Sequence, residues 1–316
     1  MNLSPVIIFA YNRLDHLEKT IEAISKNRLA DESQFYVFQD GPREKDLTDN
    51  SYARVTEYCK NLNLGKTCTF IKRDNNYGLF KSVITGVTET IEKHNSVIIL
   101  EDDLITSPSF LQYMNESLNY YENISQVGTI NGYSYNMDKN LPKYYFLRGA
   151  NPYGWGTWKD RWSLLETDTT LLKKKLISRN LVKEWDYGHG LKMLKDQEEG
   201  KISSWLICWH TSLFLKGKLT LFPSHSFVYH NGFDESATHC TDGDKLDKHQ
   251  YKVENLNNSY NFKDIEKTPI KEDSSIRNSI QHFYHTINEI PYTQFEKLTN
   301  KYYLLKHKIK QLIVQN

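Results

Sequence analysis

The first 140 residues alternate between short apolar runs and longer amphipathic stretches. The run PVIIFAYN is uninterrupted, as in a strand buried on both faces, and the next stretch repeats Leu14, Leu17, Ile21 and Ile24 at helical spacing. Three further apolar runs, each followed by a helical stretch, are QFYVFQDG, TCTFIKRD and SVIILEDD. Strands that alternate with helices of this length form right-handed βαβ units. We therefore predict an α/β fold with a mostly parallel sheet flanked by helices.

Polar residues follow each of these four runs. Because the carboxyl ends of parallel strands meet at one edge of a sheet, and ligands bind beyond that edge, these residues are expected to line one cleft. They are Asn12 and Arg13, Asp40 and Gly41, Arg73 and Asp74, and Glu101 to Asp103. This convergence predicts a binding site from the residues alone.

Glu101, Asp102 and Asp103 are adjacent in the sequence, and three neighbouring carboxylates repel one another. Mg²⁺ and Mn²⁺ prefer carboxylate oxygens as ligands, and they commonly join one or two carboxylates to a substrate diphosphate. The alternative is a structural role, in which the acids pair with lysines or cap the following turn. Their position after a buried strand favours a site for Mn²⁺ or Mg²⁺.

The overall charge excludes some partners. The formal net charge of the 316-residue chain is +1, so no global field favours nucleic acid or an anionic membrane. No apolar stretch approaches the roughly 20 residues of a transmembrane helix. We expect a cytoplasmic protein, because no basic leader precedes the first apolar run and the cysteines form no CxxC pair; they are Cys59, Cys68, Cys208 and Cys240.

Composition divides the chain into three parts. Residues 1–136 contain the alternating elements, and residues 137–240, rich in Trp and Gly, predict a less regular half of the same domain. Residues 241–316 form a C-terminal extension that begins as a polar linker. It ends, from residue 291, in an amphipathic helix with five lysines and one glutamate. That helix either packs on the domain or lies on the inner face of a membrane as a peripheral contact.

The order and spacing of several motifs resemble the nucleotide-sugar half of a GT-A glycosyltransferase. The motifs are PVIIFAYNR, FQDG and VIILEDDLITSPSFLQYM. The sequence resembles N-acetylglucosaminyltransferase I and bacterial relatives that decorate surface polysaccharides. The resemblance covers residues 5–136 well and continues more loosely through GWGTWKDRW, EWDYG and GFDESATHC; we see none beyond about residue 242.

The resemblance implies roles for residues at the predicted cleft. Asp103 would ligate the metal, Asp102 would approach the ribose, and Glu101 would lie near the donor sugar or metal-bound water. Asp40 would accept a hydrogen bond from the imide N–H of uracil, and Arg13 would contact the diphosphate, which suits guanidinium geometry.

Four further positions are implied to lie beside the nucleotide, namely Ala10, Asn12, Asn76 and Tyr77. Each assignment has a structural alternative. Asp40 and Gly41 could form an ordinary turn, Arg13 could lie on the surface of its helix, and residues 75–78 could cap the helix that follows.

In the resembled enzymes an Asp that follows a Trp acts as general base in the second half of the domain, and EWDYG places Asp186 there. The alternative for Asp186 is a side-chain turn, and the reserve candidates are Asp160, Glu184 and Asp234.

Two other assignments in the second half follow from the resemblance. Trp155 and Gly156, in a glycine-rich stretch, would bind the sugar by stacking and close backbone approach, although tryptophan is more often buried in a core. His239 occupies the place of a late histidine that ligates the metal in some GT-A enzymes, and its alternative is a structural histidine.

These features predict a metal-dependent, inverting glycosyltransferase that moves a sugar from a UDP-sugar donor to a hydroxyl of a glycan or lipid-linked glycan. The bacterial relatives suggest capsule, O-antigen or lipooligosaccharide synthesis. One alternative is a sugar-phosphate nucleotidyltransferase, although AYNRLDHL lacks the glycine-rich loop expected there. The other is a non-catalytic glycan-binding protein with a degenerate site, which would ignore nucleotide and metal.

Overall fold

An eight-stranded β-sheet forms the centre of the protein in a computed structural model that describes residues 2–48, 50–137, 141–187, 189–233 and 247–287. A two-stranded ribbon lies beside it. The strands are β1 Val6–Ala10, β2 Gln34–Gln39, β3 Thr67–Lys72, β4 Ser96–Glu101, β5 Leu104–Thr106, β6 Val127–Asn131, β7 Tyr144–Arg148, β8 Trp155–Trp158, β9 Leu219–Pro223 and β10 Val228–His230.

Helices cover both faces of the sheet. Residues of α1, α2 and α4 pack in one core cluster, whereas α3 and α9 contribute to a second cluster on the opposite face. The helices are α1 Leu14–Ser25, α2 Ser51–Lys60, α3 Gly78–Ile91, α4 Phe110–Tyr121, α5 Lys159–Trp162, α6 Thr169–Ser178, α7 Val182–Trp185, α8 Gly190–Glu198, α9 Trp205–Leu215, α10 Phe262–Glu266 and α11 Ser274–Ile287.

The first four strands confirm the predicted βαβ arrangement. The sheet order is β3-β2-β1-β4-β8-β6-β9-β7, and β1 pairs in parallel with both β2 and β4, as β2 does with β3. The register sets Phe9 opposite both Phe38 and Glu101. The carboxyl ends of these strands therefore meet at one edge, where the sequence placed its polar residues.

The second half of the chain completes the same sheet. Strand β8 runs antiparallel between β4 and β6, β9 runs parallel to β6, and β7 pairs antiparallel with β9. This half is thus more regular than expected, because its described residues add three strands to the sheet, one strand to the ribbon and five helices.

Helix α4 begins later than the sequence suggests. Ser107 followed by Pro108 is typical of an N-cap and the first helical residue. The helix nevertheless starts at Phe110, and the N–H of Leu111 donates to the side chain of Asn27 at 2.9 Å. The Ser107 hydroxyl instead donates to the carbonyl of Asn257 at 2.8 Å. The cap is therefore supplied by a distant residue, which local sequence does not encode.

The expectation of a sugar-binding loop at Trp155 and Gly156 is wrong. Both residues belong to β8, and Trp155, which is 1% exposed, stacks on Trp205 with ring centroids 5.1 Å apart. A Cβ on Gly156 would lie 2.9 Å from the carbonyl oxygen of Val97. Gly156 therefore permits close packing inside the sheet, and Trp155 belongs to the core.

The C-terminal extension is described for residues 247–287, which pack along the domain through α10 and α11. The predicted basic helix from residue 291 lies outside the described residues. None of the helices in the described ranges is long and apolar enough to cross a bilayer.

Replacing the core tryptophan tests this correction. Trp155→Ala is expected to lower the free energy of unfolding by about 3–5 kcal/mol, because it leaves a large cavity in the tryptophan cluster. Urea denaturation measures the effect, and Ile177→Ala, at a position that is 59% exposed, is the control with a loss below about 1 kcal/mol. Unchanged stability together with lost sugar-donor binding would restore the sugar-stacking role.

Candidate active site

The two aspartates of the acidic triplet share a single counter-ion. One Nη of Arg13 donates to Asp102 Oδ1 and, at 2.7 Å, to Asp103 Oδ2. Asp102 and Asp103 are 4% and 5% exposed, so this contact takes place largely out of water. Burial alone would lower the pKa of Arg13, but the two carboxylates outweigh it and raise that pKa. Arg13 thus lies at the predicted cleft and not on the helix surface.

Two acids of the triplet, Glu101 and Asp102, have raised pKa values. Burial, followed by repulsion from Asp103 and Asp102, raises the pKa of Glu101 to about 8, although a hydrogen bond with Trp205 opposes the shift. Burial also raises the pKa of Asp102 to about 6, against the attraction of Arg13. An additional cation at this point would favour the ionised forms, since opposite charge stabilises a carboxylate.

A histidine that the sequence analysis passed over lies beside Asp103. The ribbon of β5 and β10 sets His230 opposite Leu104, and His230 Nε2 lies 3.6 Å from Asp103 Oδ2. Burial lowers the pKa of His230, so its imidazole is neutral near pH 7, as a metal ligand must be. The signal in the sequence was the apolar run FVYH before the NG turn, which indicates a strand but not its partner.

Asp103 and His230 fit a divalent cation. Asp103 Oδ1 and His230 Nδ1 are buried and have no hydrogen-bond partner among the described residues. A carboxylate combined with a neutral imidazole suits Mn²⁺, whereas Mg²⁺ prefers oxygen ligands alone. No group of three His, Cys, Asp or Glu side chains in the described ranges is arranged to hold a metal, so the pair needs ligands from elsewhere.

The backbone closes tightly over Asp103. A Cβ added to Gly232 would lie 2.2 Å from Asp103 Oδ2 and 2.9 Å from its Cγ. The N–H of the preceding Asn231 donates to the Asp103 carbonyl at 2.8 Å. Glycine is therefore required here, because any side chain would displace the carboxylate.

Asp40 combines a structural role with a remaining acceptor position. Its Oδ1 accepts from the N–H groups of Gly41 and Tyr77, at 2.9 and 2.8 Å, and its Oδ2 accepts from Gly78 at 2.8 Å. Asp40 thereby caps the first turn of α3, a role that the structural alternatives had given to residues 75–78. A carboxylate offers about four acceptor positions, so one on Oδ2 remains for a ligand donor.

Other residues assigned to the nucleotide make local contacts around this edge. The amide of Asn76 donates to the carbonyl of Gly41 at 2.7 Å, and the ring of Tyr77 lies 4.0 Å below the ammonium of Lys81. Ala10 ends β1 and is buried.

Asp46 is a second residue that the sequence analysis missed. It is buried and accepts hydrogen bonds from Asn12, at 3.2 Å, and from the hydroxyl of Tyr11 and the N–H of Arg43. These bonds hold the loop after β1, and with it Arg13, against the loop after β2.

Asp186 ends α7 in the second half of the domain. Its Oδ1 accepts from the N–H of Gly190, the first residue of α8, at 2.8 Å. This bond spans four residues, so it is a local structural contact but not the two-residue side-chain turn given as the alternative. Its role as general base stays a prediction. Of the reserves, Glu184 pairs with Arg148 and Arg277, and Asp160 pairs with Arg161.

Two assigned residues lie outside the described ranges, namely His239 and Asp234. A cavity of about 540 Å³ between α1 and α2 is lined by other residues, among them Leu14, Arg54 and Tyr58, and contains none of the acids of the triplet.

The sequence matches the profile of Glycosyl transferase family 2 over residues 6–181, which is more than half of the chain. The protein therefore belongs to this family and is a glycosyltransferase, and the family together with the sheet topology confirms the predicted GT-A fold. Membership sets aside the nucleotidyltransferase and the non-catalytic binding protein. A comparison with curated protein sequences finds no match.

Solved structures to which this chain shows similarity include the following three. The mannosyltransferase PcManGT from Pyrobaculum calidifontis, in complex with GDP-Man and Mn²⁺, is 13% identical over 50% of this chain and 44% of its own, with a TM-score of 0.36. Residues 1–349 of S. aureus TarS are 12% identical over 73% of this chain and 61% of that one, with a TM-score of 0.42.

The third is a cytidylyltransferase from Leptospira borgpetersenii serovar Hardjo-bovis, 12% identical over 52% of this chain and 64% of its own, with a TM-score of 0.32. This chain thus spans less than two thirds of the length of each of the three.

Substitution of the close-approach glycine tests the site. Gly232→Ala is expected to weaken Mn²⁺-dependent UDP binding about tenfold, because the new methyl group displaces Asp103. Isothermal titration calorimetry with MnCl₂ and UDP measures the change. Gly200→Ala is the control, since nothing lies within 4 Å of that position and its φ of +69° affects stability only. Unchanged Mn²⁺-dependent UDP binding in Gly232→Ala would show that Asp103 is not a ligand of the metal.

Proposed function

We propose that this glycosyltransferase depends on a divalent cation, uses a UDP-sugar and transfers the sugar with inversion to a hydroxyl of a glycan. The observation that carries the proposal is the meeting of Asp103, His230 and Arg13 at the carboxyl ends of β1 and β4. Asp103 and His230 each keep one buried polar atom without a hydrogen-bond partner among the described residues, and Arg13 lies beside them, so this proposal places a cation and a diphosphate here.

Asp103 and His230 would hold the cation, which we take to be Mn²⁺ because one ligand is an imidazole. When bound, the cation supplies Lewis-acid stabilisation of the departing diphosphate. Arg13 supports the same charge, since its planar guanidinium can donate to phosphate oxygens in place of carboxylates. His239 remains a proposed further ligand.

The nucleobase assignment rests on Asp40. The remaining acceptor position on its Oδ2 suits an imide N–H, which uracil possesses and cytosine lacks. The N–H groups of Tyr77 and Gly78 hold this carboxylate in one orientation. A fixed acceptor discriminates strongly, because a base without the matching donor leaves it unpaired.

Asp186 is the proposed general base that takes the proton from the acceptor hydroxyl. Its competitor Glu184 is less suited, since the hydrogen bond from Arg148 lowers the pKa of Glu184 and thereby its basicity. For the acceptor we propose a glycan or lipid-linked glycan of a bacterial surface polysaccharide, on the resemblance stated above. Peripheral membrane contact through the helix from residue 291 belongs to the same proposal.

A panel of nucleotide sugars, followed by nucleotide release with and without Mn²⁺, tests the function. Asp103→Ala is expected to abolish transfer and Mn²⁺-dependent UDP binding together, because it removes a ligand. Asp186→Ala is expected to reduce kcat by about 10²–10⁴-fold with UDP affinity retained, because a base acts on the barrier and not on donor binding.

Asp31→Ala is the matched control, since Asp31 is exposed in the short turn Ala30–Glu32 before β2 and has no assigned role in the reaction. Nucleotide release from GDP-sugars alone would overturn the assignment of uracil to Asp40. Full activity without divalent cations would overturn the proposed dependence on a metal. A fully active Asp186→Ala variant would show that Asp186 is not the general base.

The dual role of Arg13 yields a separate prediction. Arg13→Gln removes a positive charge a few ångströms from the ligands, so Mn²⁺ binding without nucleotide is expected to tighten by the order of 1–4 kcal/mol. UDP binding in the presence of Mn²⁺ is expected to weaken, because the diphosphate loses its guanidinium partner. Electron paramagnetic resonance of free Mn²⁺ measures the metal affinity, and isothermal titration calorimetry with UDP measures the nucleotide affinity.

Arg54→Gln, a change on the exposed face of α2, is the control for Arg13→Gln. Weaker Mn²⁺ binding in Arg13→Gln would show that the guanidinium supports the carboxylates without competing for the cation.

A further inference from the structure

The described part of the C-terminal extension joins both halves of the domain. We call residues 247–287 the C-terminal strap. It is bonded to the start of α4 through the Ser107 hydroxyl and Asn257, and to β7 through Arg148 and Glu272 at 2.7 Å. Two glutamine side chains of the strap reach the segments that carry the proposed metal ligand and the proposed base.

Gln250 holds the backbone of His230. Its Oε1 accepts from the His230 N–H at 2.9 Å, and its Nε2 donates to the His230 carbonyl at 2.9 Å. Gln250 is buried, and it also donates to Asp247 at 3.0 Å. The other side of the same residue faces Leu104 of β5 in the ribbon. Among the described residues no strand pairs with β10 on this side, and the Gln250 amide bonds to the His230 backbone there instead. This amide fixes the position of the imidazole relative to Asp103.

Gln281 holds the segment of Asp186. Its Nε2 lies 3.1 Å from the carbonyl of Lys183, 3.3 Å from that of Glu184 and 3.0 Å from that of Asp186. These carbonyls end the four-residue helix α7, where intrahelical partners are missing. One turn earlier on α11, Arg277 donates to Glu184 at 3.2 Å.

A helix of one turn has little stability of its own, so its orientation depends on what it packs against. The strap therefore determines the position of Asp186 through Gln281, in the same way that it determines the position of His230 through Gln250. The two sets of hydrogen bonds share no atom and involve segments 20 and 95 residues away in sequence, respectively.

We infer that Gln250 and Gln281 are positioning residues for two different steps of the reaction, an assignment that rests on the proposed function. Gln250 would set the imidazole for the cation and so govern metal affinity. Gln281 would set the carboxylate for the acceptor hydroxyl and so govern turnover. Because neither side chain touches the other's segment, the two effects are separable.

Paired variants of the full-length protein test the assignment. Gln250→Ala is expected to raise the Mn²⁺ concentration for half-maximal activity and the Kd of Mn²⁺ about tenfold, the size seen when partners of a ligand are lost. Excess Mn²⁺ is expected to restore turnover in this variant. Gln281→Ala is expected to lower kcat about tenfold, because a misplaced base is costly, with the Kd of Mn²⁺ and UDP unchanged.

Two further substitutions at Gln281 distinguish a positioning role from a general loss of stability. Gln281→Lys keeps donors for the three carbonyls, and its positive charge suits a helix C-terminus, so most of the turnover is expected to return. Gln281→Glu has the same shape but offers no donor and is expected to behave like Gln281→Ala. Gln112→Ala, on α4 with Glu116 as its partner, is the control that alters neither quantity.

Equal losses of metal affinity and turnover in Gln250→Ala and Gln281→Ala would indicate a shared structural effect and overturn the assignment, as would unchanged values in either. A Gln281→Lys variant no better than Gln281→Ala would have the same consequence. Failure of the proposed function would look different, because the unaltered protein would then release no nucleotide from any sugar nucleotide.

Discussion

The arrangement depends on the burial of Asp102 and Asp103 against Arg13. Two carboxylates this close repel one another by several kcal/mol at the effective dielectric of a protein, so they require a positive partner. Here the partner comes from the loop after β1, and the loop is itself held by Asp46. In the function we propose, the charge that makes the cluster tolerable in the free protein also binds the diphosphate. In that proposal, the Arg13 guanidinium both neutralises the two aspartates and recognises the ligand.

The site has two halves that different physical constraints bring together. Parallel pairing of β1 to β4 places Arg13, Asp40 and the acids at one edge, since every strand in such a unit ends on the same side. His230 is placed by an antiparallel ribbon, and Asp186, the proposed base, follows a one-turn helix; both elements are short. Short elements have little intrinsic stability, and this explains why the C-terminal strap contacts each of them.

Much of the nucleotide half was predictable because its information is local. Uninterrupted apolar runs indicate buried strands, helical spacing indicates the connections, and the βαβ rule then aligns the strand ends. The same reasoning failed at Trp155, where glycines on either side suggested a loop. Whether a tryptophan between glycines stacks on a ligand or packs in a core depends on its neighbours, and Trp205 and Trp209 are about 50 residues away in sequence.

The sequence by itself determined the α/β class, the parallel half of the sheet and the shared position of Arg13, Asp40 and the acidic triplet, because strand pairing between successive βαβ units follows from short-range patterns. Only the tertiary structure decided that Arg13 bonds to the aspartates, that His230 stands beside Asp103, and that Gln250 and Gln281 hold the segments of the second half. Those contacts join residues far apart in the chain through side chains, and no periodicity in a sequence records which side chains will meet.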